Sequence, residues 1–370
     1  MINSNNKLIK LRIILLVGPS QKAKGGVATH INNLLKSPLN NIFNFIHFQI
    51  GSDNSKIKNP LIRFALSLFN FFYILIKNPP DIVHINPSFD KKSFPRDLFY
   101  LVISKLFHIK TIIQFHGGEP FVLYKKNYFW KRLFSFLNLA DQIIVITQSQ
   151  REQLLHILTS KNVIQIPNMV DLTKFSQIEK LELKETCFSI LFASRIIIEK
   201  GIYDSLNLIP LLIPHIPSFK LNIMGDGVEL INAISYVKQK KLYNYVKFHG
   251  FLSGEEKIRL YKESSIFIFP TRLPEGFPYV IIEAMASGLP VISYPSGAIS
   301  EVIEDNINGY IIQSKNIEDM SEKIILLYNN PTLQSEISTN NINKVKKFYD
   351  FPIVSKSFIE IYNSTINASS

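Results

Sequence analysis

The segment 275–283, with the sequence EGFPYVIIE, carries two carboxylates eight positions apart. Glu275 lies in a turn marked by glycine and proline, and Glu283 lies in an apolar run that predicts a helix. Glu275 is therefore expected at a helix N-terminus, where free backbone N–H groups face a ligand and favour negative charge. At 1.5 Å per residue, Glu283 would lie roughly 11–12 Å further along the axis. Two carboxylates so spaced cannot share a proton, but they can hold two ends of one elongated ligand.

A pair of cations lies eighty residues upstream, in the cluster SRIIIEKG that ends at Gly201. This cluster follows the buried-strand pattern 188–193 and precedes a predicted helix that begins near Ile202. Arg195 can bind two oxygens of a diphosphate in fork geometry, and Lys200 adds a point charge. The alternative is that each cation pairs with a nearby surface carboxylate such as Glu199.

Three other turns follow predicted strands. Gly25 and Gly26 come after the first strand, where they permit positive φ and close backbone approach before a helix N-terminus that can receive phosphate. Gly225 and Asp226 form a tight turn after another strand, and His116 ends a strand and precedes two glycines. An ordinary tight turn and a structural histidine are the alternatives to a functional role.

In this order, the Arg/Lys-Gly turn, the Gly-Asp-Gly turn and the E-x7-E segment resemble the retaining GT-B glycosyltransferases of family 4 over nearly the whole chain. The resemblance implies that His116 orients the donor sugar, that Glu275 lies against that sugar, and that Glu283 accepts hydrogen bonds from the ribose hydroxyls. It implies one set of catalytic residues, His116, Arg195, Lys200 and Glu275. It implies a second set that binds the donor, Gly25, Gly26, Gly225, Asp226, Gly276, Phe277, Tyr279 and Glu283.

Three further positions are weaker candidates. Pro278 departs from the pattern of many relatives and, lacking an N–H, donates nothing to the donor phosphates. Glu119 is a candidate carboxylate on the acceptor side. His84 matches the family pattern, and we expect it to be mainly structural.

Alternation of strands and helices predicts an α/β protein with parallel sheets, whose ligands bind beyond the carboxyl ends of the strands. The resemblance implies the GT-B fold, in which two Rossmann-like doubly wound domains face each other across a cleft. We expect an acceptor-binding domain at 1–178, with six strands, and a nucleotide-sugar-binding domain at 179–349, with five. The polar segment 176–186 would be the boundary. A last helix within 350–370 is expected to return to the first domain.

Composition limits the cellular setting. The net charge is +12, and Cys187 is the only cysteine, so no intrachain disulfide can form, which is consistent with a reducing compartment. The apolar core Ile13–Val17 is too short for a signal peptide and predicts a first buried strand. The longest apolar stretch, Phe64–Ile76, is too short to span a bilayer and predicts a core or interfacial helix.

Basic and aromatic residues alternate in the segment 124–134. Such a pattern suits a surface that meets anionic lipid headgroups. The same residues could stack on a single-stranded nucleic acid, or they could form a solvated basic face over core aromatics, with Phe129 and Leu133 buried. We expect contact with the membrane and no nucleic-acid partner.

The sequence has no Asp-x-Asp motif and no His/Cys ligand cluster. A metal-dependent GT-A enzyme is therefore disfavoured, and no cofactor is expected, because Arg195, Lys200 and helix dipoles can meet the diphosphate charge.

The resemblance implies a retaining transfer of a hexose or N-acetylhexosamine from a nucleotide sugar, by analogy a UDP-sugar. The acceptor would be a lipid-linked glycan of a bacterial capsule, exopolysaccharide or O-antigen. The protein would be cytoplasmic and peripheral to the inner face of the cell membrane. Two alternatives are a GT-B epimerase or hydrolase that acts on the nucleotide sugar and a non-catalytic partner subunit.

Overall fold

A computed structural model describes residues 11–51, 59–159, 162–178 and 187–368. The chain divides into two compact units. Unit 1 comprises Met1–Met169 with Phe351–Ser370, and unit 2 comprises Val170–Asp350. Most of the polar segment 176–186 lies outside the described residues.

Unit 1 is built on a six-stranded parallel sheet with the order β2-β1-β3-β4-β5-β6. Leu15 and Val17 pack into the core on one face of this sheet, whereas Ile14 and Leu16 pack into the core on the other. Burial on both faces explains why the strands are continuously apolar. The strands are β1 (Arg12–Gly18), β2 (Phe43–Gln49), β3 (Ile82–Ile85), β4 (Lys110–Phe115), β5 (Gln142–Val145) and β6 (Val163–Gln165).

Helices connect these strands, as the alternating pattern predicts. The final helix of the chain also packs on unit 1, where the Tyr362 ring meets the Phe43 ring at a centroid distance of 5.2 Å. The helices are α1 (Gly26–Lys36), α2 (Pro60–Lys77), α3 (Ser93–Leu106), α4 (Pro120–Tyr124), α5 (Tyr128–Ser135), α6 (Gln148–Ile157) and, at the end of the chain, α15 (Phe351–Asn367).

Helix α2 is longer than the apolar stretch that predicts it. Asn59 caps its first turn by accepting a hydrogen bond from the backbone N–H of Leu61 at 2.9 Å. By length and composition this 18-residue helix could cross a membrane. Phe71 and Leu75 are nevertheless buried in the core of unit 1, so α2 lies along its surface.

Unit 2 contains a second six-stranded parallel sheet, with the order β12-β11-β10-β7-β8-β9. Five strands lie where the sequence predicts them. The sixth, β12, is a three-residue edge strand that the sequence analysis does not predict. The strands are β7 (Phe188–Ala193), β8 (Phe219–Met224), β9 (Val246–Gly250), β10 (Ile266–Phe269), β11 (Val291–Ser293) and β12 (Gly309–Ile311).

The helices of unit 2 complete a second Rossmann-like α/β arrangement. They are α7 (Leu172–Gln177), α8 (Ile202–Leu212), α9 (Leu230–Gln239), α10 (Gly254–Glu263), α11 (Tyr279–Ala286), α12 (Ile299–Val302), α13 (Ile317–Asn329) and α14 (Pro331–Phe348). The predicted α/β class with two Rossmann-like parallel-sheet domains is confirmed.

Candidate active site

Three turns of unit 2 lie side by side at the carboxyl edge of its sheet, because β10, β7 and β8 are neighbours. The chain runs from β7 to β8 and β9 on one side and returns to β10 on the other. The edge between β7 and β10 is thus a topological switch point, where open α/β sheets bind ligands. The turns after β7 and β10 carry the residues that the sequence singles out.

Lys200 and Glu275 form an ion pair at this switch point. The two side chains are only 11% and 12% exposed, and the Thr271 hydroxyl donates a hydrogen bond to Glu275 Oε1 at 2.9 Å. Lys200 Nζ also lies 5.4 Å from the centroid of the Phe269 ring. The carboxylate partner of Lys200 is therefore Glu275, not Glu199, and the structure brings together two predicted catalytic residues from separate turns.

Backbone contacts fix the two turns against each other. The Arg272 N–H donates to the carbonyl oxygen of Glu199 at 2.8 Å. Gly201 has φ of 81°, and a Cβ there would collide with the carbonyl oxygen of Pro270. A glycine is needed after Lys200 both for this close approach and for its left-handed conformation.

Glu275 precedes helix α11 instead of lying at its N-terminus. The helix begins at Tyr279, with Pro278 before it, so Glu275 stands in the connecting loop. Its carbonyl oxygen accepts a hydrogen bond from the Ala298 N–H at 2.9 Å. A Cβ at Gly297, where φ is 58°, would collide with the backbone of Glu275. This contact with the loop after β11 holds Glu275 in place, and no local sequence pattern predicts it.

Glu283 lies on α11, as predicted, and its residue is 7% exposed. Lys257 of α10 forms an ion pair with Glu283 Oε1, and the Tyr261 hydroxyl donates to Oε2 at 3.4 Å. Burial, together with the nearby Glu283 carboxylate, raises the pKa of Tyr261 well above its usual value. Lys257 is a site residue that sequence reasoning missed, because nothing local marks a lysine 26 positions from its partner.

The Gly225–Asp226 turn is tied to the turn that carries Arg195. The Ile196 N–H donates to the carbonyl oxygen of Asp226 at 2.9 Å. Gly225 has φ of 146°, and a Cβ there would collide with the carbonyl oxygen of Ser194. The guanidinium-bearing side chain of Arg195 is exposed at this edge of the sheet. These two turns therefore form one continuous rim.

In unit 1, the predicted glycine loop precedes helix α1. Gly25 has φ of 150°, and its carbonyl oxygen accepts a hydrogen bond from the Thr29 N–H at 3.1 Å. A Cβ added at Gly25 or Gly26 would meet no atom within 4 Å among the described residues. The two glycines thus leave the backbone at the start of α1 open to a ligand, although packing does not require them.

His116 follows β4 on the same edge of the unit 1 sheet. Asn86 Nδ2 donates to the carbonyl oxygens of Val17 at 3.3 Å and His84 at 3.2 Å, which orients the amide. Asn86 Oδ1 therefore accepts from His116 Nε2–H at 2.9 Å. This leaves His116 Nδ1 as the unprotonated nitrogen, buried and without a hydrogen-bond partner among the described residues.

His116 belongs to a cluster of three imidazoles, with His30 and His84, and burial keeps all three neutral. The His30 ring lies 4.4 Å from the His116 ring, and His84 Nδ1 is 2.8 Å from the Tyr362 hydroxyl in the core. Burial lowers the pKa of His84 to about 3, and burial together with His84 lowers the pKa of His116 to about 3. Burial also lowers the pKa of His30 well below its usual value.

Asn86 is the second site residue that sequence reasoning missed. Its place directly after β3 is a signal that could have identified it, since polar side chains at the carboxyl ends of parallel strands meet at one edge. Across the described residues, no three His, Cys, Asp or Glu side chains converge as a metal-binding set.

Two family models match consecutive parts of the chain. The model described as glycosyl transferases group 1 matches residues 173–344, and the model described as glycosyltransferase family 4 matches residues 45–174.

Curated relatives carry related names. An uncharacterized glycosyltransferase of Methanocaldococcus jannaschii is 26% identical over 88% of this chain and 90% of its own length. The poly(ribitol-phosphate) alpha-N-acetylglucosaminyltransferase of Staphylococcus aureus is 27% identical over 61% of this chain. The match spans 45% of that enzyme, so the chain corresponds to about half of it. CapM, a capsular polysaccharide biosynthesis glycosyltransferase of Staphylococcus aureus, is 26% identical over 62% of this chain and 63% of its own length.

Solved structures share the fold. HepE of Anabaena, solved in complex with UDP, superposes with a TM-score of 0.76 at 18% identity and covers 95% of this chain and 100% of its own. TarM of S. aureus gives a TM-score of 0.62 at 22% identity, over 80% of this chain and 59% of its own. The two family models, which together match residues 45–344, indicate a GT-B glycosyltransferase of the group 1 family.

Proposed function

We propose that the protein transfers a hexose or N-acetylhexosamine, with retention of configuration and without a metal ion, from a nucleotide sugar to a lipid-linked glycan. The reaction would serve the assembly of a bacterial surface polysaccharide. Unit 2 would bind the nucleotide sugar, and unit 1 would bind the acceptor. The C-terminal residues 350–370 would support unit 1. The transfer would take place at the cytoplasmic face of the membrane.

The observation that carries the proposal is the Lys200–Glu275 ion pair at the switch point of unit 2. A buried ammonium beside an anion-binding edge can bind the diphosphate of a nucleotide sugar, and it acts strongly where water is excluded. Arg195 on the adjoining rim would add a bidentate contact. Glu283, about one turn into α11, suits hydrogen bonds from the ribose hydroxyls.

In this proposal the bond between the anomeric carbon of the sugar and the diphosphate oxygen breaks, and a bond to the acceptor oxygen forms on the same face. Lys200 and Arg195 stabilise the charge that develops on the leaving diphosphate. The acceptor proton passes to the leaving phosphate. Glu275 would lie against the sugar in unit 2, and His116 is the residue of unit 1 to which the resemblance assigns the orientation of the donor sugar.

The choice of donor and acceptor draws on the comparisons. HepE was solved with UDP, which supports a UDP-sugar as the donor. The S. aureus relatives are named for an N-acetylglucosaminyl transfer to poly(ribitol phosphate) and for capsular polysaccharide biosynthesis. Both names favour an acceptor that belongs to a cell-surface polymer.

Nucleoside-diphosphate release from a panel of UDP-, GDP- and ADP-sugars tests the proposal. We expect slow release from one donor, and we expect Lys200→Ala to lower it by about 10²–10³-fold, as other losses of preorganised charge do. Lys238→Ala, an exposed lysine on α9, is the matched control and should keep the wild-type rate. Release from no donor would contradict the proposal, and complete turnover without any acceptor would favour an epimerase or hydrolase.

A further inference from the structure

A cavity of about 710 Å³ opens in unit 1 between the end of β2 and helices α2 and α3. Leu61, Phe64 and Leu66 contribute apolar surface to its wall. Arg63, Lys92 and Arg96 contribute three cations to the lining, and Arg96 forms an ion pair with the buried Asp97 behind the wall. The cavity therefore suits a ligand that is anionic at one end and apolar at the other.

The guanidinium of Arg96 is held in place beside this cavity. Arg96 Nη2 donates to Asp97 Oδ2 at 2.9 Å, and Asp97 is fully buried. Asp97 is the next residue of α3 and is buried behind the cavity wall, so it orients the Arg96 guanidinium from that side. A guanidinium so fixed loses little side-chain entropy when it binds phosphate.

The cavity continues into an exposed apolar surface on α2. Phe71 and Leu75 bind this helix to the core, while its opposite side faces outward. We name that side the α2 face; it consists of Leu61 (77% exposed), Ile62, Leu66, Phe69 (69%), Tyr73 and Ile76 (69%). At 1.5 Å per residue the helix is about 27 Å long. An apolar surface of this length marks a partner or a membrane.

Neighbouring side chains extend this surface. Phe99 of α3 is 52% exposed, and its ring lies 5.5 Å from the ring of Phe64. Lys77 ends α2, so cations stand at the last turn of the helix as well as at the cavity. An apolar strip with basic residues at its margins is the pattern of a helix that lies in the interface of an anionic bilayer.

We propose that the phosphate of an anionic membrane lipid binds Arg63, Lys92 and Arg96 in this cavity while its hydrocarbon chain lies along the α2 face. The inference rests on the proposed function, since it supplies the contact that brings a lipid-linked acceptor to unit 1. The inference places the membrane contact on α2, whereas the sequence analysis places it on the segment 124–134. In that segment the structure buries Trp130 and Phe134 but leaves Tyr128 and Phe129 exposed, so the segment is the surface against which the α2 face must be tested.

Sedimentation with vesicles at low salt tests the assignment. We expect the wild-type protein to bind phosphatidylcholine vesicles that contain phosphatidylglycerol and to leave pure phosphatidylcholine vesicles unbound. The double variant Arg63→Glu/Lys92→Glu should lower the apparent affinity at least tenfold, since basic residues near an anionic surface attract the protein to it and acidic ones repel it. Phe69→Ser/Ile76→Ser should lower it similarly.

Two control variants separate this surface from others. Lys131→Glu/Arg132→Glu reverses two charges in the segment 124–134, and Lys238→Glu reverses one on unit 2. Both should bind vesicles like the wild type. Full binding by Arg63→Glu/Lys92→Glu, or loss of binding in Lys131→Glu/Arg132→Glu alone, would overturn the inference. A wild-type dimer that Phe69→Ser converts to a monomer would assign the α2 face to a second copy of the chain and would overturn it as well.

Sedimentation is measured without donor or acceptor, so its outcome does not depend on turnover. Failure of donor turnover with intact vesicle binding would remove the proposed function and leave the lipid site. Wild-type turnover with no vesicle binding would remove the lipid site alone. Thermal melting of each variant checks that the changed side chains have not unfolded unit 1.

Discussion

Each unit contains a six-stranded parallel sheet, but the two units differ in the charge of the groups at the carboxyl edges of their sheets. Unit 2 carries the ion pairs Lys200–Glu275 and Lys257–Glu283. Unit 1 carries a cluster of imidazoles in which the pKa of His84 and that of His116 are lowered to about 3, so both are neutral at pH 7.

The difference shows how burial decides charge. A buried ionisable group either keeps its charge beside an opposite one or gives the charge up. Lys200 keeps its charge because Glu275 faces it. The His84 ring has a tyrosine hydroxyl as its neighbour instead of a carboxylate, so it stays neutral. Unit 2 is thereby suited to a diphosphate, and unit 1 to neutral hydroxyl groups.

Breaking the ion pair should give the largest effect. Lys200→Met or Glu275→Leu alone leaves a charge with little exposure and no opposite charge beside it, so each should lower the free energy of unfolding by about 3 kcal/mol. The double variant should regain most of that stability, because both charges are gone. All three should lose donor turnover by at least about 10²-fold.

Urea unfolding and nucleoside-diphosphate release measure the two quantities separately. Single variants as stable as the wild type would show that the pair does not hold the two turns. A double variant that keeps the wild-type rate of nucleoside-diphosphate release would show that the ion pair takes no part in catalysis.

Introducing a charge beside the neutral imidazoles of unit 1 should have a smaller effect on turnover. Asn86→Asp places one carboxylate oxygen against His116 Nε2–H and the other against the carbonyl oxygens of Val17 and His84. When this carboxylate is ionised, an opposite charge at that distance raises the pKa of the imidazole by about 1–3 units. We therefore expect kcat/KM of the variant to fall with decreasing pH between about 6 and 4.5, and we expect the wild-type profile to stay flat over that range. Asn86→Asp is a change at a positioning residue, so the pH profile is the informative readout.

The exposed Asn44 on β2 supplies the control. Asn44→Asp adds the same charge to unit 1 away from the imidazoles and should leave the profile flat. A flat profile in Asn86→Asp as well would mean that Asn86 does not set the protonation of His116.

The buried histidines should also make unit 1 sensitive to acid. Burial lowers the folded-state pKa of His30 and His84 below the unfolded value of 6.5. Between pH 6.5 and the folded-state pKa the unfolded chain binds more protons, so stability falls as the pH falls and is constant above 6.5. Each histidine contributes at most about 1.4 kcal/mol per pH unit. Trp130, the only tryptophan, reports on unit 1.

Unfolding followed by Trp130 fluorescence from pH 7 to pH 4 measures this slope. His84→Gln should make it shallower by about one proton, whereas His156→Gln, which changes an exposed histidine of the same unit, should not. Equal slopes in the wild type and His84→Gln would show that His84 takes up its proton while folded.

Much of the fold follows from the sequence, because parallel strands buried on both faces are continuous apolar runs. Among the described strands, only β12 is not predicted; β6 and β11 are equally short and are predicted, so length alone does not explain the difference. The site is predictable only in part. Glycine turns and charged residues after strands are visible in the sequence, so Lys200, Glu275 and Glu283 can be singled out.

Residue pairs that come into contact only in the folded protein cannot be recognised from the sequence in this way. Lys257 and Asn86 act on residues 26 and 30 positions away, and neither distance is a helix or strand repeat. Lys200 illustrates the same limit. Its type and place in the turn indicate an anion clamp, while its pairing with Glu275 depends on the order β10-β7 in the sheet. The α2 face is a further case, since composition shows an apolar helix and only packing shows which side is exposed.

Removal of divalent metal ions should produce the smallest change. If Lys200, Arg195 and the backbone N–H groups before α11 neutralise the leaving diphosphate, the rate of nucleoside-diphosphate release should stay within about twofold when EDTA is added. Lys200→Ala sharpens the measurement, because added Mg²⁺ should not restore its rate if the protein has no place for the ion. If EDTA abolishes the wild-type rate and Mg²⁺ restores it, the cations of unit 2 do not suffice to neutralise the leaving diphosphate. The contrast between a charged unit 2 and a neutral unit 1 would then have to include a metal ion.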